Sequence, residues 1–292
     1  MTLFAIRPWR RLVQAGVLLA FIGIPFLNKA EYNALSGNFL AFNFAGVPLG
    51  DPLAALQVMT GALSATAPML VGAGLALLLA ALMGPVFCSW LCPFGFLSEL
   101  AHRNKGCALP ARGRPALSPR PFAARAAIVA AGLAAIPLFV PTPALNQLSM
   151  PGWYSRAMQH AVLYHEVLWG GVILIAAVLA AELVSGKRFW CRWVCPQSVL
   201  IGLAGLPLPA RFRVRFNRSA CTCAADDRAC LAACHLCLNP RLTNAPQRAQ
   251  CANCGDCVDA CSGRGKALSM GFGKQIQCLR RPGRCPGPRR GK

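Results

Sequence analysis

Residues 52–98 of this 292-residue chain contain no charged side chain, and residues 126–155 contain none either. Such stretches cannot face water along their length, because a soluble chain carries charge at roughly a quarter of its positions. Here 13% of residues are charged and 55% are hydrophobic, with a mean hydropathy of +0.47. Four segments are read as spanning a bilayer. They are 12–28, between Arg11 and Lys29; 67–87; the start of 126–155 (AAIVAAGLAAIPLFV); and 163–184. No small-x-small cleavage site follows the first, so it reads as a retained span and not a signal peptide. Disorder, a collagen-like fibre and a simple cytosolic enzyme are excluded.

Positive charge in the loops sets orientation. Arg7, Arg10 and Arg11 precede the first span, and Arg103, Lys105, Arg112, Arg114 and Arg120 fill the loop 100–123. From Lys187 onward, 19 Lys and Arg stand against 4 Asp, out of a formal net charge of +21 for the chain. The two remaining loops are nearly neutral. Both termini and the central loop are therefore expected in the cytoplasm of a multi-pass protein of the bacterial inner membrane, with two modest loops outside. The basic tail is expected to rest against anionic lipid headgroups. No nucleic-acid-binding motif accompanies its charge, so nucleic acid is not an expected partner.

Residues 88–95 read CSWLCPFG and residues 191–198 read CRWVCPQS. Both are C-x-W-x-C-P, each at the cytoplasmic end of an even-numbered span, which implies internal duplication. Cysteines at i and i+4 share a helical face, so Cys88 can point with Cys92, and Cys191 with Cys195. In a reducing compartment these pairs are not structural disulfides. They read as ligands of a metal or cluster, as redox-active dithiols, or as buried packing residues.

Of 16 cysteines, nine crowd into 221–261. Cys251-x2-Cys254-x2-Cys257-x3-Cys261 is the spacing of cuboidal iron–sulfur ligation, in which the fourth cysteine usually serves a second cluster. Zinc is the competing metal, but its ribbons separate two CxxC units by a longer arm. RFRVRF (211–216) alternates as a half-buried strand does, and ALSMGF (267–272) can return beside it. The second cluster has five candidates for four places: Cys221, Cys223, Cys230, Cys234 and Cys237. Cys107, Cys278 and Cys285 have no expected cluster role. The fold class expected is thus mainly α: a four-helix transmembrane bundle (1–205), a small α+β two-cluster ferredoxin-like cytoplasmic domain (206–275) and a basic tail (276–292).

On the paired C-x3-C-P motifs, and on FNFAGVPLGDPLAALQ (42–57), FCSWLCPFGFLSE (87–99), LSMPGWYSR (148–156) and FWCRWVCPQSVL (189–200), the chain resembles the NapH/MauN group of ferredoxin-type membrane proteins. The resemblance implies two [4Fe–4S] clusters in the tail. It also implies electron exchange with the quinone pool, through quinol, on behalf of another redox protein of the same pathway. The segments 49–57 and 151–156 look closer to the methylamine-utilisation branch than to the nitrate branch. The rival function is an assembly factor, supplying electrons or metal while a partner dehydrogenase's cofactor matures. No catalytic triad, phosphate loop or carboxylate dyad is present, so the chemistry would belong to the cofactors. Haem ligation by His160 and His165 is the weakest alternative.

Overall fold

Proline and left-handed caps punctuate the helices. In the computed structural model the described residues are 5–30, 35–38, 40–102, 120–139, 144–186, 188–206, 208, 211–217, 220–223, 229–236, 238–241, 249–263 and 267–273. Helix α1 runs Ile6–Lys29. Three short antiparallel strands follow, β1 (Leu35–Gly37), β2 (Ala41–Phe44) and β3 (Val47–Gly50). The tight turn between β2 and β3 places Ala45 and Gly46 at positive φ, as a type I′ hairpin requires.

Helix α2 (Pro52–Ala62) starts at Asp51, whose carboxylate accepts from Leu53 N–H, with proline in its first turn. It ends at Leu63 in the left-handed region, and α3 (Ala67–Met83) returns beside it. A π-turn (Phe87–Leu91) leads to α4 (Pro93–Ala101). Helix α5 (Arg120–Phe139) opens a second series. It comprises a 3-10 turn (Ala144–Leu148), α6 (Met150–Tyr164), α7 (Trp169–Ser185), a second π-turn (Trp190–Val194) and α8 (Pro196–Ala204).

The two series are copies of one plan. Helix α6 ends in a left-handed residue, His165, as α2 does at Leu63. Both π-turns are closed by the same bond, Cys92 N–H to Phe87 O and Cys195 N–H to Trp190 O, each at 2.9 Å. Packing exchanges the copies: α1 lies on α6 as α5 lies on α2, and α3 lies on α8 as α7 lies on α4. Reciprocal contacts of this kind define a pseudo-twofold relation.

Three findings differ from the sequence expectation. First, among the described residues only α1 is both long and apolar enough to cross a membrane, while 67–83, 122–135 and 169–185 form shorter apolar helices. The charge-free window 52–98 ran on into the first motif, but α3 stops at Gly84, at positive φ, and α7 begins only at Trp169, after the left-handed His165. Second, the paired motif cysteines do not lie on one continuous α-helix. Cys88 lies in the π-turn, whereas Cys92 and Cys195 are extended caps whose following prolines start α4 and α8. Third, the segment expected as a modest loop forms a three-stranded sheet whose last strand packs on α3. A Cβ added at Gly72 would lie 2.9 Å from Gly50 N, so the end of β3 lies directly on α3.

Close approach also fixes Gly95, where an added Cβ would meet Cys88 O at 2.3 Å. Gly95→Ala is expected to force the π-turn open and to destabilise by about 1–3 kcal/mol, as overpacking does. Gly74→Ala, with open space around it, serves as the control in a thermal melt of detergent-solubilised protein.

The tail is built on β4 (Arg213–Phe216) and β5 (Leu268–Gly271), antiparallel with Arg213 opposite Gly271 and Phe216 opposite Leu268. Both expected strands therefore form and pair. Two short helices, α9 (Ala229–Ala232) and α10 (Asp256–Ser262), pack on each other. Their buried core is Cys230, Leu231, Cys257, Val258, Cys261, Ala267 and Leu268. Residues 276–292 lie outside the described residues.

Candidate metal centres

The twelve described cysteines fall into three groups of four, none of them disulfide-bonded. Cys234, Cys251, Cys254 and Cys257 line one cavity. Cys221, Cys223, Cys230 and Cys261 line a second. The fourth cysteine of the 251–261 series thus leaves its neighbours and joins the earlier segment. Cys257 and Cys261 lie about a turn apart along α10, and Cys261 shares its cavity with Ala229 and Cys230 of α9. Of the five candidates for the irregular half, the structure places four in these two groups. Cys237 lies outside the described residues, as do Cys107, Cys278 and Cys285.

The donor sets fit iron–sulfur clusters. Each is all-sulfur and at least partly buried, and backbone N–H groups aim at thiols of the first set, as at cluster ligands. Leu238 N–H donates to Cys234 Sγ at 3.3 Å, and the N–H groups of Asn253 and Asp256 serve Cys251 and Cys254. Burial pushes Cys251 up to about 11. It raises Cys254 and Cys257 further, with neighbouring negative charge adding to the effect. Thiols so placed keep their protons unless a cation replaces them.

Beside the first group lies a buried ion cluster that links the tail to α1. Arg10, 0% exposed, donates through Nη2 to both oxygens of Asp256 at 3.0 Å and also to Glu99 of α4. Gln14 Nε2 donates to Glu99 at 3.2 Å and to Ser89 O at 2.7 Å, and His235 Nε2 lies 3.2 Å from Asp256. Burial alone would raise Asp256, but the His235 hydrogen bond and the charges of Arg10 and Arg7 outweigh it and hold the carboxyl well below its usual range. The first N–H groups of α1, from Ile6 and Arg7, donate to Asp259 at 2.9 and 2.8 Å. An acidic group from α10 therefore caps the positive end of the α1 dipole.

Each C-x-W-x-C-P motif binds one tail cysteine loop through the residues between its own cysteines. Ser89 Oγ donates to Ala252 O at 2.5 Å, and Trp90 Nε1 donates to Asn253 O at 3.2 Å. Arg192 Nη1 donates to Leu236 O at 2.9 Å. Asn253, at positive φ, donates in turn to Met83 O and Phe212 O at 3.0 and 3.1 Å. The loop carrying Cys251 and Cys254 is thus bound to the end of α3.

The motif cysteines form the third group. Cys92 and Cys195 are buried, with Cys88 and Cys191 partly so. Burial raises all four thiols, and Cys191 further raises the other three. Arg188 donates to Ser98 Oγ and Gly95 O, both at 3.1 Å, and its charge favours the Cys191 thiolate. Glu182 accepts from Ser98 Oγ at 2.5 Å and from Trp190 N–H at 3.0 Å. Sequence reasoning missed Arg10, Glu99, Glu182 and Arg188 as site residues. Their only signal was position: Glu99 and Arg188 flank the two motifs closely. His160 Nδ1 lies 3.1 Å from Glu166 O nearby in the chain, and His165 Nε2 lies 3.4 Å from Lys29 Nζ at the end of α1.

A family model described as a 4Fe-4S binding domain matches twice, at residues 65–114 and 167–215. These matches fall on the two structural copies and contain both C-x-W-x-C-P motifs. The ferredoxin-type protein NapH of Escherichia coli is 29% identical over 277 residues, spanning 87% of this chain and 85% of NapH. The methylamine utilization ferredoxin-type protein MauN of Paracoccus denitrificans is 30% identical over 225 residues, spanning 76% of this chain and 74% of MauN. No solved structure is significantly similar to the chain. Sequence likeness over most of both relatives, and a 4Fe-4S family model matched to each copy, place the chain in the NapH/MauN family of ferredoxin-type iron–sulfur proteins.

Proposed function

We propose that the chain is a multi-pass membrane electron relay that takes electrons from quinol and passes them through two [4Fe–4S] clusters in its tail. The observation that carries this reading is the sorting of the tail cysteines into two sets of four, joined by hydrogen bonds to an apolar helical body. Cys234, Cys251, Cys254 and Cys257 would hold one cluster, and Cys221, Cys223, Cys230 and Cys261 the other. When bound, the clusters supply one-electron chemistry, while oxidation of a quinol releases two electrons and two protons. The chain's own residues fix the thiols, keep water from them and set their surrounding charge.

The body suits lipid. Leu12, Leu19, Phe26, Val71, Leu78, Ile128 and Ile173 are exposed apolar side chains on α1, α3, α5 and α7. A helix of 17 residues such as α3 or α7 rises about 25 Å, close to a hydrocarbon core of ~30 Å. With α1 and α5 these make four crossings, and the excess of Lys and Arg puts both termini and the tail in the cytoplasm. Relatives carry both NapH and MauN names, so the operon around the gene distinguishes nitrate from methylamine metabolism. In anaerobic membranes, a quinol analogue is expected to bleach the cluster absorption promptly. Clusters that accept electrons from dithionite but none from quinol would favour the maturation role instead.

A further inference from the structure

Two halves of a duplicated chain each contribute a π-turn, and Cys88 of one and Cys191 of the other line a common cavity. We propose that Cys88, Cys92, Cys191 and Cys195 together build one further [4Fe–4S] site, positioned between the helical body and the tail cluster held by Cys234, Cys251, Cys254 and Cys257. The inference rests on the relay reading and extends it to three centres in series.

Three features support a cluster over packing. The motifs converge: Cys88 and Cys191 line one cavity together, and Cys92 and Cys191 share one buried apolar cluster. The second cysteine of each motif caps a helix whose first N–H groups point at its sulfur, from Phe94 and Gly95 to Cys92 and from Gln197 and Ser198 to Cys195. Helix N-termini favour the anionic sulfur that metal ligation requires. Cations also surround the group. Arg125, Arg188 and Arg192 line the cavity with Cys88 and Cys191. Four thiolates around a cuboidal core leave a net negative charge, and a buried negative charge needs paired positive groups. Packing residues would need neither the N–H groups nor the arginines.

The position suits a relay. Ser89, next to Cys88, is hydrogen-bonded to Ala252, next to Cys251. Arg188 lines both the membrane-side cavity and the cavity of the first tail group. The group of Cys221, Cys223, Cys230 and Cys261 lies beyond, lined by tail residues alone. Each centre would accept and release a single electron with no bond made or broken. A quinol would therefore deliver its two electrons in two steps and its two protons to water or side chains.

Wild-type protein purified anaerobically in detergent tests this directly. Iron and acid-labile sulfide are expected at about twelve of each per chain, four per [4Fe–4S] cluster. The quadruple variant Cys88→Ser, Cys92→Ser, Cys191→Ser, Cys195→Ser should lose about a third of both and keep the tail-cluster signals. About eight irons in the wild type would overturn the third site while leaving the relay reading intact. Bound zinc that disappears in the quadruple variant would likewise overturn it. Fewer than eight irons, with none lost from the quadruple variant, would overturn the two-cluster reading as well. The wild-type count needs no variant to fold, so an unstable quadruple protein leaves the test decisive.

Discussion

Arg10→Met is expected to be among the most damaging single substitutions outside the cysteines. It would leave Glu99 and Asp256, exposed by only 1% and 0%, without the guanidinium that joins them. Removing one partner of a buried ion pair costs about 3–5 kcal/mol, a large share of the 5–15 kcal/mol that typically holds a domain together. Because Asp256 lies between Cys254 and Cys257, the loss should appear as accelerated bleaching of cluster absorption on mild heating or in denaturant. Arg7→Ala is the control. Arg7 contacts the same carboxylate at 3.2 Å, but its side chain is 56% exposed, and such pairs contribute roughly 0–1 kcal/mol. Equal stability of the Arg10 variant and wild type would show that this cluster does not join α1 to the tail.

Cys261→Ser should remove a different cluster from Cys257→Ser, although the two residues lie in one sequence motif. Serine is nearly the size of cysteine but a poor iron ligand. The Cys261 variant should lose about four irons and keep the spectroscopic signal of the cluster beside Asp256. The Cys257 variant should lose that signal and keep the other. Both variants losing the same signal would mean that 251–261 holds a single cluster by itself, contrary to the cavities the structure shows.

The two outcomes depend on different kinds of information. The charge-free windows, the duplicated C-x-W-x-C-P and the 251–261 spacing were all legible in the chain. Each is a local pattern, set by the rise of a helix or by the reach of neighbouring thiols. The strand pair 213–216 and 268–271 was legible for the same reason, since alternation needs only adjacent residues. Depth and partnership were not legible. An apolar window gives a length, but Gly84 ends α3 earlier than hydropathy does, α7 begins later than the expected span, and the segment before Asp51 folds onto α3 where Gly72 leaves room.

Arg10 shows the limit most clearly. From sequence it reads as one of three arginines that orient the first span. Only the tertiary structure brings Glu99 and Asp256 to it from the far side of the chain and turns an orienting charge into a buried pair. The cysteines behave alike: spacing pointed to an iron–sulfur motif in 251–261, while folding decided which thiols share a cavity. A four-ligand site is closed by segments distant along the chain, and that closure depends on packing between α9 and α10 or between two copies of a π-turn. The sequence by itself determined the donors and their chemistry. Which donors stand together was decided in three dimensions, because neither sulfur nor charge carries a record in the chain of what it will meet.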